Sequence, residues 1–314
     1  MTTTLELEGI EGVQVRRDVP LMSFTSIGTG GRALYVVEVE RKEALAEVVQ
    51  RVRVSGISDT KTFILGGGTN LLVSDDGFDG VVIRLLGEFN LVEVLGTRIT
   101  AGAAVTLMKL ISAAEGAGIG GLEFLSGIPG TLGGAIAMNA GAWGMGIWDK
   151  IVQVNGVDKK GTVVTKRTDS HSVGYRRGNL PGGFIVSEAL LECEEADREQ
   201  IAQKVKEVIG KRRLIGSDEL RTFGSVFKNP GGEFAGKLLE EAGVLGLERG
   251  GAAVSKDHAN FIINKGNATS GDILELINTM KRQVKDRFDV DLIPEVVLLG
   301  FEESEIEGQK TREE

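Results

Sequence analysis

The sequence predicts a mixed α/β fold that turns α+β in its later part, and three observations carry that prediction. Strand-like apolar runs alternate with helical stripes, two long glycine-rich segments interrupt them, and the whole pattern restarts after a charged helix near residue 210. Residues 34–39 read as a strand. Ala44, Leu45, Val48, Val49 and Val52 form one helical stripe, and 62–65 is a buried strand entering the first glycine segment. Strands follow at 81–84 and 98–101, then a helix near 106–115 and the second glycine segment. Runs at 151–154, 161–165 and 184–191 suggest a largely antiparallel sheet.

Asp197-x-x-Gln200 has capping-box character and opens a helix with Ile201, Val205, Val208 and Ile209 on one face. A boundary is expected near 210–217. Beyond it, 234–242 reads as helix and 260–264 as strand, while Ile273, Leu276, Ile277, Met280 and Val284 form another apolar stripe. The run 295–299 is too apolar for a tail and is expected to return as a strand. Residues 301–314 are charged and aperiodic and read as a frayed tail.

With 314 residues, 41% hydrophobic content and mean hydropathy +0.02, the chain reads as a soluble globular protein of two or three domains. No apolar run approaches the roughly twenty residues that span a bilayer, and the polar start lacks a leader-like apolar stretch. Lone Cys193 cannot make an internal disulfide, so a cytoplasmic location is expected. A net charge of −9 with scattered basic residues argues against general nucleic-acid binding; Lys204 to Lys228 is the one local basic concentration. Two histidines, His171 and His258, are too few for a metal cluster, so no metal is expected.

The glycine segments, 64–75 (ILGGGTNLLVSD) and 126–141 (SGIPGTLGGAIAMNAG), carry the chemistry. Backbone free of side chains can wrap a phosphate, and the interspersed Thr, Ser and Asn add donors. Two such segments point to a large, pyrophosphate-bearing cofactor. Neither ends in the Gly-Lys-Ser/Thr of a P-loop. Gly28-x-Gly30-x-x-Ala33 matches the dinucleotide fingerprint formally, but it runs into the predicted strand at 34–39, where a helix is required.

These segments, with 25–33 (TSIGTGGRA) upstream, resemble the FAD-binding half of the UDP-N-acetylenolpyruvoylglucosamine reductases of peptidoglycan precursor synthesis. Residues 174–177 (GYRR), 224–230 (GSVFKNP), 258–264 (HANFIIN) and 293–297 (IPEVV) match the same family in the same order, so the resemblance covers roughly 20–300. It implies a two-part FAD-binding region of the PCMH (vanillyl-alcohol-oxidase-like) type plus a C-terminal α+β substrate domain. The expected division is 1–75 (joined by 295–300) and 76–209 for flavin, and 210–294 for substrate. The implied reaction uses non-covalent FAD and NADPH to reduce a UDP-sugar enolpyruvyl ether, with NADPH and substrate taking turns in one cleft. No protein partner is implied.

The resemblance assigns flavin binding to Gly66, Gly67, Gly68, Thr69, Asn70 and Leu71, and to Ser126, Gly127, Pro129, Gly130, Thr131, Gly133, Gly134, Asn139 and Gly141. It makes Ser225 the proton donor, which on its own residues would read as a turn hydroxyl. Arg176 becomes the active-site arginine facing the substrate carboxylate, with Tyr175 beside it, and Glu295 the catalytic glutamate. A glutamate opening an apolar strand is unusual unless it faces a cleft. Lys228 and Asn229, like Tyr175, are expected to bind the substrate, contacting its phosphate or sugar; the alternative for the pair is a structural turn before Pro230. His258 is expected to hold a strand end, and Cys193 to fill apolar space.

The only tyrosines, Tyr35 and Tyr175, leave none for the lid loop of one branch of the family, so the chain resembles the other branch. Residues 217–223 (SDELRTF) depart from the Gln-Pro pattern common there, which leaves the nucleotide contacts open. The competing reading is an alcohol or carbohydrate oxidase of the same flavin fold. Those often tether flavin through a histidine in the N-terminal half, and the first histidine here is His171. A silent nucleotide-sugar binder would not need Ser225, Arg176 and Glu295 together.

Overall fold

The computed structural model describes residues 5, 7–58, 61–168, 178, 180–213 and 221–306, the side chains of Arg213 and Glu303 excepted. They fall into two compact units: the first comprises residues up to 18, 34–67 and 80–212, the second 19–33, 68–79 and those from 213 onward. One break between the units lies at 212/213. The second unit, however, also takes two segments from the N-terminal quarter, so the units cut across the expected division at 75/76.

In chain order the elements are β1 (Val13–Pro20), β2 (Arg32–Val39), α1 (Lys42–Val54), β3 (Thr62–Leu65), β4 (Leu71–Val73), β5 (Phe78–Leu85), β6 (Val92–Leu95), β7 (Arg98–Gly102) and α2 (Leu107–Ala117). Next come β8 (Ile119–Gly120), α3 (Leu132–Met138), β9 (Gly141–Ala142), β10 (Met145–Gly146), β11 (Ile151–Val157), β12 (Val163–Arg167), β13 (Ile185–Glu192), β14 (Glu194–Glu195) and α4 (Arg198–Arg213). The chain closes with α5 (Ala235–Glu241), β15 (Glu248–Arg249), β16 (Ala252–Val254), β17 (Ile262–Asn264), α6 (Ser270–Phe288) and β18 (Val297–Leu299). Because β2 begins at Arg32, two residues after Gly30, the fingerprint-like glycines precede a strand, as the sequence required for rejecting them.

The first unit holds a four-stranded sheet in the order β1-β2-β5-β3, with β3 parallel to β5, and a five-stranded antiparallel sheet in the order β12-β11-β13-β7-β6. The predicted stripe of α1 is buried on Ala44, Leu45, Val48, Val49 and Val52. In α2, Thr106 Oγ1 accepts the Lys109 N–H, and Gly118 closes the helix at φ +71, a left-handed position suited to glycine. β12 begins two residues later than predicted, because Gly161 at φ +81 belongs to the preceding turn. Cys193 lies in this core, and burial raises its thiol pKa to about 11, as expected of an apolar filler.

The second unit packs the antiparallel sheet β15-β16-β17 and the parallel pair β4 and β18 with α5 and α6. In α6 the predicted stripe is buried, and Thr269 and Asp272 form a reciprocal capping box. Strand β18 starts at Val297, not at Glu295, since the Glu295 and Val296 N–H groups both donate to the Val226 carbonyl and so do not join the ladder with β4. The start of the expected tail is docked: Asn278 Nδ2 donates to the Glu305 carbonyl at 2.9 Å and Ile306 is buried. Residues 307–314 lie outside the described residues. No helix among the described residues is long and apolar enough to cross a membrane.

Candidate functional site

In the first unit the two glycine segments meet. A Cβ on Gly66, just after β3, would come within 2.7 Å of Thr131 Oγ1 and 4.0 Å of the Gly134 Cα, so only bare backbone allows the approach. Gly127 and Gly130 take left-handed φ angles of +75° and +122°. Thr131 then caps α3, its Oγ1 3.4 Å from the Gly134 N–H it accepts. Gly66, Gly67, Gly127, Pro129 and Gly134 are exposed, whereas Gly133 backs onto Ala103.

Beneath this surface Ser126 is 2% exposed, and its Oγ has no hydrogen-bond partner among the described residues. A buried hydroxyl left unpaired costs about 1–3 kcal/mol. Together with the bare backbone, this orphaned hydroxyl fits a polar ligand such as the pyrophosphate of FAD. Asn139 and Gly141 have structural work: Asn139 sits at φ +45 and its Oδ1 accepts the Trp148 N–H, while a Cβ on Gly141 would lie 1.9 Å from the Met145 carbonyl oxygen. They shape the β9–β10 hairpin that follows the segment.

The rest of the first glycine segment lies in the second unit, where a Cβ on Gly68 (φ +63) would lie 1.8 Å from the Phe24 carbonyl oxygen. Half-buried Thr69 follows, and Leu71 is buried in β4. Asn70 Nδ2 donates to the Glu295 carbonyl at 2.9 Å, and the Val297 N–H donates to the Asn70 carbonyl at 3.1 Å. Asp75 ends the segment by accepting the Ser270 and Gly271 N–H groups at 2.9 Å each, placing a carboxylate at the positive end of α6.

Ser225 and Glu295 sit on adjoining backbone. The Glu295 N–H donates to the Val226 carbonyl at 2.7 Å, the Lys228 N–H to the Ile293 carbonyl at 2.9 Å, and Phe227 bridges Pro294. On the other side Ser225 bridges Phe261 and the Val226 N–H donates to the Asn260 carbonyl at 2.9 Å. Residues 225–228 thus form a short central strip between 260–261 and 293–296. Both Ser225 and Glu295 are half-buried. Asn229 Oδ1 accepts the Ala235 N–H at 3.0 Å, which supports the turn reading for that residue.

His258 holds the strand end as expected: its Nδ1 accepts the Asn260 N–H at 3.2 Å and its ring meets Phe261 edge-on at 4.6 Å. Burial lowers its pKa, which favours the neutral ring that accepting through Nδ1 requires. Arg212, from the basic run, stacks on the Trp143 ring at 5.0 Å and donates to the Phe124 carbonyl at 3.2 Å. Tyr175, Arg176, Arg177 and His171 lie outside the described residues. Sequence reasoning missed Asn260 and Asp75 as organisers; a lone amide among Ala259, Phe261 and Ile262 was the available signal for the first.

Two family models match the chain: the FAD binding domain over residues 33–166 and the C-terminal domain of UDP-N-acetylenolpyruvoylglucosamine reductase over 217–299. Fold and site define an FAD-dependent oxidoreductase. The chain is 38% identical over 295 residues to UDP-N-acetylenolpyruvoylglucosamine reductase of Clostridium tetani, covering 94% of this chain and 95% of that protein, and 40% identical over 284 residues to that of Acidiphilium cryptum, covering 90% and 91%. The crystal structure of the Thermus caldophilus reductase superposes with a TM-score of 0.79 at 35% identity, covering 91% of this chain and 99% of the other. The chain belongs to the UDP-N-acetylenolpyruvoylglucosamine reductase family.

Proposed function

We propose that the chain reduces UDP-N-acetylenolpyruvoylglucosamine to UDP-N-acetylmuramate in the cytoplasm, with NADPH as reductant. The observation that carries this reading is the strip at 225–228, whose backbone joins the segments of Ser225 and Glu295. When bound, FAD supplies the hydride it has taken from NADPH. The chain's own residues bind, orient and move the proton.

Reduction of an enolpyruvyl ether adds a hydride at one vinyl carbon and a proton at the other, so negative charge builds toward the substrate carboxylate between the two events. The Ser225 hydroxyl delivers that proton, and solvent replaces it on the serine oxygen. Arg176 offers a permanently charged fork to the carboxylate. Glu295 orients the proton-donating network, and Tyr175 and Lys228 contact the substrate. Gly66, Gly67, Ser126, Gly127, Gly130, Thr131 and Gly134 hold flavin phosphate through backbone N–H groups and hydroxyls. In this reading, residues 210–294 carry the substrate.

The test is an anaerobic absorbance titration of the yellow protein, first with NADPH and then with the enolpyruvyl substrate. Bleaching by NADPH and stoichiometric return of colour with the UDP-sugar are expected. Bleaching by an alcohol in place of NADPH, with colour that returns only with oxygen, would favour an oxidase.

A further inference from the structure

Phe227 is 1% exposed, and its backbone amide and carbonyl cannot use the 293–296 side of the strip, where the Lys228 N–H and the Val226 carbonyl already make the pairing. Both groups need a partner away from water. One side chain supplies both. Asn260 Oδ1 accepts the Phe227 N–H at 3.0 Å, and Asn260 Nδ2 donates to the Phe227 carbonyl at 2.9 Å. Asn260 is 3% exposed, and its own carbonyl takes the Val226 N–H. A single residue therefore fixes three backbone groups between Ser225 and Lys228: the Val226 N–H, the Phe227 N–H and the Phe227 carbonyl. A carboxamide is the side chain able to do so, because it carries a donor and an acceptor at peptide-like spacing.

We propose that Asn260 is a positioning residue for the proton-delivery step, acting through the 225–228 strip to set Ser225 and, through the Val226 carbonyl, Glu295. The inference rests on the function proposed above. A structural clamp of this kind touches no reacting atom, yet a displacement of about 1 Å at a reacting group can slow a reaction by about a hundredfold. His258 orients Asn260 in turn through its Nδ1.

Stopped-flow measurement of the two half-reactions on flavin-loaded Asn260→Ala and Asn260→Asp tests it. Asn260→Asp keeps the acceptor for the Phe227 N–H and loses the donor to the carbonyl. Flavin reduction by NADPH is expected to be unchanged in both, while reoxidation by the enolpyruvyl substrate falls in the order wild type, Asn260→Asp, Asn260→Ala, reaching about a hundredfold in the last. The Ser225→Ala and Asn260→Ala double variant is expected to be no slower than Ser225→Ala alone, because Ser225 is gone and Glu295, whose role is to orient the network serving that donor, has no proton donor left to orient.

Equal losses in both half-reactions, or multiplying effects in the double variant, would overturn the proposal in favour of a general structural role. If Asn260→Ala does not fold, Asn260→Asp carries the test, and its reoxidation at wild-type rate also overturns it. Where wild type and Ser225→Ala behave as proposed but the Asn260 variants reoxidise normally, this inference alone fails. Wild-type flavin that the substrate cannot reoxidise removes both the function and this inference.

Discussion

The glycine-lined surface of the first unit and the 225–228 strip of the second are built on opposite principles. Around Gly66, Ser126 and Thr131, the working groups are backbone N–H donors and small hydroxyls, and the sequence removes side chains to expose them. Around Ser225, the working groups are side chains, and buried amides such as Asn260 hold the backbone beneath them. A backbone-built site is recorded in contiguous composition. A side-chain site is assembled from residues 70, 225–228, 260 and 295, which no local spacing reveals.

Ser225→Ala gives the largest separation between the two regions. Losing a placed general acid is expected to slow substrate reduction by roughly a hundred- to ten-thousand-fold, while flavin retention and its reduction by NADPH stay at wild-type levels in stopped-flow traces. Parallel loss of flavin would erase the distinction between the regions.

Ser126→Ala is expected to show opposite signs with and without the cofactor. The apoprotein loses an orphaned buried hydroxyl and gains up to about 1–3 kcal/mol in chemical denaturation, whereas FAD titration by fluorescence shows weaker binding. Destabilised apoprotein would mean that the hydroxyl already has a partner.

The glycines themselves sharpen the comparison. A Cβ on Gly134 would meet only Thr131 Oγ1 at 3.5 Å, so Gly134→Ala is expected to fold with an unchanged apoprotein melting temperature and to weaken FAD retention on gel filtration. Gly68→Ala puts a methyl group into the Phe24 carbonyl at positive φ and is expected to lower the melting temperature first. The same outcome for both would make the segments turns without a ligand role.

The smallest effect is expected at the capping box of α6. Thr269→Ala removes the acceptor for the Asp272 N–H and is expected to cost about 1 kcal/mol with unchanged kinetics. The hydrogen bond from the Thr269 N–H holds the Asp272 pKa below its ordinary value. The stabilisation from this carboxylate is therefore present above the ordinary aspartate range and is lost as pH falls through the lowered folded-state pKa. Thermal melts of wild type and Asp272→Asn should converge on acidification.

Sequence alone determined the elements whose signals are local. The stripes of α1 and α6, the cap at Asp197, the strand after Gly30 that excluded a dinucleotide turn, and the glycine composition each follow from periodicity or from backbone freedom that neighbouring residues decide. Ordered motifs also placed the family. Only the tertiary structure decided which distant segments satisfy one another's buried backbone: that β4 pairs with β18, that Glu295 is anchored by Asn70 and Val226, and that Asn260 replaces a missing strand neighbour for Phe227. These pairings arise because a buried N–H or carbonyl must find a partner wherever the fold brings one, a requirement that carries no signature in linear spacing.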